Sequence, residues 1–332
     1  MAVPAGTFQT FQAVGNREDL EDVIYSISPV ETPFMTMAGR VSASAVLHEW
    51  QTDALIAAAA NKQIEGDDAS LGTSTASSRL GNYCQIASKY ALVSDTQQAV
   101  KTAGRGNEMS YQVSKRLAEL KRDMEFALTQ NQGSSAGSAT AARSTASVES
   151  WLTRPAGASM VGNSTAISAG STAHTTPGWT SGGSLLAPTD STVTGTVTAA
   201  NLKTVIKDCW VAGGNPGIVM CGAILKQSIS AFAGIATLYR EAGSTAKGTA
   251  IVGAADIYIS DFGEHRIVPN RFMRATTVLV LDMDYWKVGY LRKVSQKEIA
   301  RTGASVKRFI DVEFCLVASN PQSSGKIADA LI

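Results

Sequence analysis

No apolar run in this sequence reaches the ~18 residues that a bilayer-spanning helix needs, so no membrane span is expected. The opening, MAVPAGTFQT, has no basic region followed by an apolar one, and no secretion signal is expected either. Charge is scarce: Asp, Glu, Lys and Arg make up 17% of the 332 residues, against about a quarter in ordinary domains. Ala, Ser, Thr and Gly take their place, giving a neutral, weakly solvated surface that suits burial against copies of itself. A net charge of +1 supplies no bulk attraction for nucleic acid. Cys84, Cys209, Cys221 and Cys315 form no CxxC pair, and with three histidines beside them no zinc site is expected. They read as small core residues of a soluble chain made inside the cell, in a reducing compartment.

Catalytic motifs are missing as well. There is no GxxxxGK[ST] phosphate loop, no GxGxxG after a strand, no GxSxG elbow and no HExxH. His48, His174 and His265 fall in a strand, a Ser/Thr-rich loop and a loop–strand region, where a structural role is expected rather than a general base. Glu65, Asp67 and Asp68 in EGDDAS lack the spacing of a calcium loop and read as a solvated acidic tip. Arg292, Lys293, Lys297 and Arg301 form one basic cluster, and Lys115, Arg116, Lys121 and Arg122 another; both read as solvated faces. No catalytic residue, cofactor or metal is expected.

What the sequence does contain is one long amphipathic helix, at 107–131. Met109, Val113, Leu117, Leu120, Met124, Ala127 and Leu128 recur every three or four residues, which places them on one face. Lys115, Glu119, Lys121, Asp123 and Glu125 fall on the other, with Lys115–Glu119 and Lys121–Glu125 spaced for ion pairs. Asn107 is the expected cap, and Glu108 suits the positive end of the helix dipole.

Around this helix the chain reads as α+β. Residues 16–27 predict a short helix, ended by Pro29, and Pro33, Phe34 and Met35 hold an irregular arm that makes sense lying on a neighbouring subunit. Residues 46–51 and 82–93 alternate as two strands about a tip of small and polar residues, predicting a flap ordered by an adjacent molecule. Residues 133–197 are rich in Ser, Thr, Ala and Gly but carry Trp151, Leu152 and Trp179, so docked loop is expected. Helices follow at 199–211 and 224–232, with a buried strand in GIVMCG between them. Mostly antiparallel strands are expected at 249–260, 264–268, 276–282, 286–291, 293–302 and 305–318.

The opening TFQTFQAVGNREDLEDVIYSISPVETPFMTMAGR, with its NREDL…I…ISP…TPF run, resembles the major capsid proteins of tailed bacteriophages typified by coliphage SU-ten. The order of elements is similar to the Hong Kong 97-type capsid fold, and the helix at 107–131 and EFCLVASNP fit the same plan. The resemblance implies an N-terminal arm at 1–45 and an extended loop at 46–99. It implies a peripheral domain from 100–132 and 293–332, carrying the spine helix. The axial domain would be 133–292, with 133–197 as an elaboration. The function it implies is self-assembly, as hexamers and pentamers, into the icosahedral head shell. That shell would enclose double-stranded DNA without sequence-specific contact, with a portal and scaffold or cement proteins as further partners. Assembly would take place in the host bacterial cytoplasm. Since the chain opens almost at the arm, no cleaved scaffolding segment is expected. Phe8, Phe11, Pro33, Phe34, Lys62, Glu65, Asp67 and Asp68 are the candidate contacts between subunits. An encapsulin-like nanocompartment is the alternative within the same fold, and an unrecognised enzyme the alternative outside it. Some relatives weld subunits through a lysine of the loop and an asparagine of a neighbour; Lys62 and Asn320 are available. An amine of ordinary pKa near 10.4 needs a carboxylate in a dry pocket to take its proton, and a shell without such cross-links is expected.

Overall fold

The fold is that of a computed structural model, which describes residues 28, 30–53, 55, 58–62, 64–66, 77–102, 106–152, 185, 187, 196–232, 256–328 and 330. The expected helix at 16–27, Phe8, Phe11, Asp67, Asp68, His174, Trp179 and residues 249–255 lie outside them.

The arm ends in a helix, α1 (Pro33–Met37), whose first position is the proline, where a missing N–H costs nothing. Strands β1 (Gly39–Ser42), β2 (Leu47–Thr52), β3 (Ser78–Tyr83) and β4 (Gln85–Ser94) follow. Then come α2 (Asp95–Ala99) and the long helix α3 (Glu108–Thr129). The Asn107 side chain caps α3 by accepting from Ser110 N at 3.0 Å. Beyond it lie α4 (Val148–Trp151), α5 (Ala199–Val211), β5 (Ile218–Cys221) and α6 (Ala223–Ser230). The last strands are β6 (Ile257–Ser260), β7 (Gly263–Pro269), β8 (Val278–Leu281), β9 (Trp286–Ile299), β10 (Ser305–Ala318) and β11 (Gly325–Ile327).

The described residues form three sheets. One has the order β1-β9-β10-β4, one β11-β8-β5-β7-β6, and β2 pairs with β3 alone. The β1–β9 and β5–β7 pairs are parallel and the others antiparallel. Strands β5 and β8 of the five-stranded sheet form a partition buried on both faces. Successive residues of a strand face opposite ways, so Leu279, Leu281 and Met220 enter one core while Val278, Val280, Val219 and Cys221 enter the other. The first core lies between that sheet, α3 and the four-stranded sheet. Val113, Leu120, Met124 and Leu128 are buried in it, whereas Met109 and Leu117 are only half-buried against its edge. The second core is closed by α5 and α6.

Two expectations change. The strand expected over 82–93 divides at Cys84: its first part belongs to the hairpin with β2, its second to the four-stranded sheet beside β10. The strands expected at 286–291 and 293–302 are one strand, β9, opposite which the β10 register slips twice. Each slip is a bulge that resets the alternation. The segment after α3 packs into the first core, where Trp151 and Leu152 are buried. The tail after β10 leaves the four-stranded sheet and adds β11 to the five-stranded one. There it lies close on α5, because a Cβ at Gly325 would fall 2.5 Å from Val205 Cγ1.

Candidate assembly surfaces

In the hairpin, the β2–β3 register runs from Leu47 opposite Tyr83 to Thr52 opposite Ser78. Its root is fastened. Trp50 Nε1 donates to Ala318 O at 3.0 Å, and the Trp50 and Trp151 rings lie 5.4 Å apart. Fully buried Asn82 donates to Leu316 O at 2.8 Å and accepts from Ala146 N at 2.9 Å. Its tip is bare among the described residues: Leu55 and Ile64 are 99% and 78% exposed, and Lys62 and Glu65 are exposed beside them. Gly66, at φ 85°, takes a left-handed turn there that side chains resist. Among the described residues Lys62 is exposed and lies in no dry pocket, and the Asn320 side chain is occupied capping the turn at 321–323, where it accepts from Gln322 N at 3.2 Å.

The arm's end is a different kind of surface. Phe34 is expected among the contacts between subunits, but its side chain is 0% exposed, in edge contact with Trp286 at 6.4 Å. It has no surface to offer a neighbour, because α1 is locked onto α3 by Glu125. That carboxylate, expected on the solvated face of α3, is itself buried. It accepts from Phe34 N at 2.8 Å, Met35 N at 2.9 Å and Asn270 Nδ2 at 2.7 Å. Burial pushes the Glu125 carboxyl above its ordinary range, and the three donors pull it back only in part. Pro33 is half-buried. Glu119, expected to pair with Lys115, meets Arg116 at 2.6 Å.

The outer face of the four-stranded sheet mixes bare apolar groups with a charge network. Ile86, Tyr90 and Leu92 of β4 are exposed, and the Tyr90 ring lies 4.9 Å from Phe309. Beside them, Arg292 reaches Asp311 at 2.6 Å and Glu313 at 2.9 Å, and Arg143 reaches Glu313 at 2.5 Å. Ser295 Oγ donates to Asp311 at 2.5 Å, and Lys297 lies 3.3 Å from it. The Ser295 hydrogen bond, with Lys297 and Arg292, holds the Asp311 carboxyl below the usual carboxylate range although burial acts the other way. The cluster expected to be a solvated basic face is thus partly neutralised. The alternation of Phe309, Asp311 and Glu313 on β10 is the available signal, since it puts two acids on one face.

Between α1, β1, α3 and β9 runs a groove of about 690 Å³. Arg40, Lys121 and Lys293 rim it and Met35, Met124 and Tyr290 line it. His265 is structural: Nδ1 donates to Pro216 O at 2.5 Å, and Nε2 lies 2.6 Å from Ser260 Oγ. Burial lowers its pKa below the ordinary histidine value. His48 packs 5.9 Å from Trp50. Among the described residues no His, Cys, Asp and Glu cluster could hold a metal, and no helix is long and apolar enough to cross a membrane.

Comparison with known proteins agrees with this architecture. The chain is 35% identical over 126 residues to the major capsid protein of Escherichia phage Phieco32. That match covers 38% of this chain and 36% of the relative's length. Among solved structures, the capsid asymmetric unit of cyanophage A-1(L) matches with a TM-score of 0.64 at 14% identity, over 97% of this chain and 98% of that one. The capsid of a native GTA particle matches with a TM-score of 0.59 at 10% identity, over 95% of each chain. At such identities the likeness shows the fold, which is that of Hong Kong 97-like capsid proteins. The model of the SU10 major capsid protein family matches residues 3–331, and the chain belongs to that family.

Proposed function

We propose that copies of this chain assemble, as hexamers and pentamers, into the icosahedral head shell of a tailed bacteriophage, formed in the host bacterial cytoplasm around double-stranded DNA. A portal and scaffold or cement proteins are its further partners. The observation that carries this reading is the hairpin, rooted in the subunit yet bare at its tip. Burying apolar surface is worth about 25 cal/mol per Å². Leu55 and Ile64 gain that energy only against something outside their own subunit, and a neighbouring copy is always present in a shell. Lys62, Glu65, Asp67 and Asp68 of the tip, with Phe8, Phe11 and Pro33 of the arm, are the contacts we assign between subunits. The acidic tip is matched in charge by the groove that Arg40, Lys121 and Lys293 rim.

The peripheral domain then comprises α3, the four-stranded sheet and the docked segment 134–152. The five-stranded sheet with α5, α6 and β11 forms the axial domain, and the extended loop proper is 46–83. Its family favours a phage head over an encapsulin-like nanocompartment. Electron microscopy of the purified full-length chain, followed by nuclease treatment of particles from infected cells, tests the proposal. Closed shells holding nuclease-resistant DNA are expected. A chain that stays monomeric at every concentration, or shells filled with protein alone, would overturn it.

A further inference from the structure

Cys84 stands at the junction where the hairpin passes into the four-stranded sheet, one residue before β4. In the β4–β10 register Gln85 faces Phe314 and Ile86 faces Glu313. Carried back one residue, the register sets Cys84 opposite Cys315. The backbone shows which kind of pair this is. Cys84 N donates to Val46 O at 2.8 Å, on the β2 side, so its backbone hydrogen bonding turns away from β10. On β10 it is the next residue, Leu316, that turns toward the hairpin, its N–H donating to Thr145 Oγ1 at 3.1 Å and its carbonyl accepting from Asn82. Cys315 therefore turns toward β9. A pair facing each other without mutual hydrogen bonds has its Cα atoms about 4.5 Å apart, inside the ~4.4–6.8 Å span of disulfides. Both side chains are fully buried in one small cluster with Ala43 and Val317. Gly289 leaves room for the Cys315 sulfur, since a Cβ there would fall 2.9 Å from it.

We propose that Cys84 and Cys315 are a latent disulfide, reduced where the chain is made and closing under oxidising conditions to fasten the root of the hairpin to β10. The Cys84 thiol, which donates to Ala45 O at 3.6 Å, is held below its ordinary value by the neighbouring Cys315 thiol, whose own value is raised. Cys84 is therefore the nucleophile. With hydrogen peroxide as oxidant, the Cys84 thiolate attacks one peroxide oxygen, becoming a sulfenic acid and releasing the other as hydroxide, which takes up the proton that Cys84 lost and leaves as water. The Cys315 sulfur then displaces the hydroxyl, which leaves as a second water with the Cys315 proton. Two thiols and one peroxide give one disulfide and two waters; sulfur is oxidised and peroxide oxygen reduced. Cys209 and Cys221, whose thiols burial pushes up to about 12 and about 11, serve as internal controls.

The test uses the full native chain, incubated with hydrogen peroxide, unfolded, alkylated and mapped by mass spectrometry without reduction. A Cys84–Cys315 linked peptide is expected, lost on adding dithiothreitol, while Cys209 and Cys221 remain alkylated. Because the bond spans a loop of more than two hundred residues, the oxidised chain should melt roughly 5 °C higher and return on reduction. Cys84 and Cys315 both still alkylated after oxidation, or linked as often to Cys209 or Cys221, overturns the pairing. A linked chain whose melting temperature does not rise overturns the fastening.

Discussion

At the root of the hairpin, Trp50 and Asn82 are bonded to β10, whereas at its tip Leu55 and Ile64 stand almost bare. The two ends belong to one excursion of the chain and obey opposite rules. At the root, buried polar groups find partners far away in sequence, as Asn82 does with Ala146 and Leu316. The tip has no buried side chain among its described residues, so the subunit's own fold gains little from it. The difference separates two demands on a shell subunit. The root must keep its shape so that the loop leaves at a fixed angle, and the tip must fit neighbours in slightly different settings.

If that division is right, substitutions should cost less stability the further they lie from the core beneath the root. The largest effect is expected for Leu120→Asp, which buries an unpaired charge at a site 1% exposed; about 4 kcal/mol or more should abolish folding, read as insoluble expression. Leu117→Asp, at a half-buried site, should be milder. Asn82→Ala comes next. It leaves Ala146 N and Leu316 O without the side-chain partners that hold the root, at about 3 kcal/mol, measurable by urea denaturation. A native-like melt for this variant would mean that the root is not held as described.

Asp311→Asn should cost about 2 kcal/mol near neutrality, and its signature is a pH dependence. Because the folded-state pKa of Asp311 is depressed, its contribution is present above the unfolded value of about 3.9 and is lost as pH falls through the folded value. The wild-type chain should lose stability in that acid window more steeply than the variant. Parallel pH profiles would show that Asp311 is not held by Ser295, Lys297 and Arg292.

Much of the fold is legible in the order of the residues. The α3 face, its Asn107 cap, α5 and the span of β10 all follow from periodicity and caps, which are local signals. What is not legible depends on partners distant in sequence. Glu125 sits four residues from Lys121 and so looks like half of a solvated ion pair. Its burial is made tolerable by backbone N–H groups and an amide some ninety and more residues away. The same contacts withdraw Phe34 from the surface, a position that proline and phenylalanine in an irregular arm do not reveal. The division at Cys84 leaves the alternation unbroken, because a strand that changes sheets keeps its period. The bulges of β9 do the reverse, breaking the alternation of a strand that continues. β11 is three residues long, too short to show any period. Among candidate contacts, Lys62 and Glu65 are exposed, while the tip's two aspartates and the arm's phenylalanines at 8 and 11 lie outside the described residues.

Deleting residues 56–77 tests the division most directly, by comparing the thermal melt of the shortened chain with its appearance in the electron microscope. The subunit should remain soluble and melt cooperatively within a few degrees of the full chain, yet form no closed shells where the full chain forms them. A shortened chain that is insoluble or melts without cooperativity would place the tip in the core. One that still closes into shells would show that assembly does not depend on the hairpin tip.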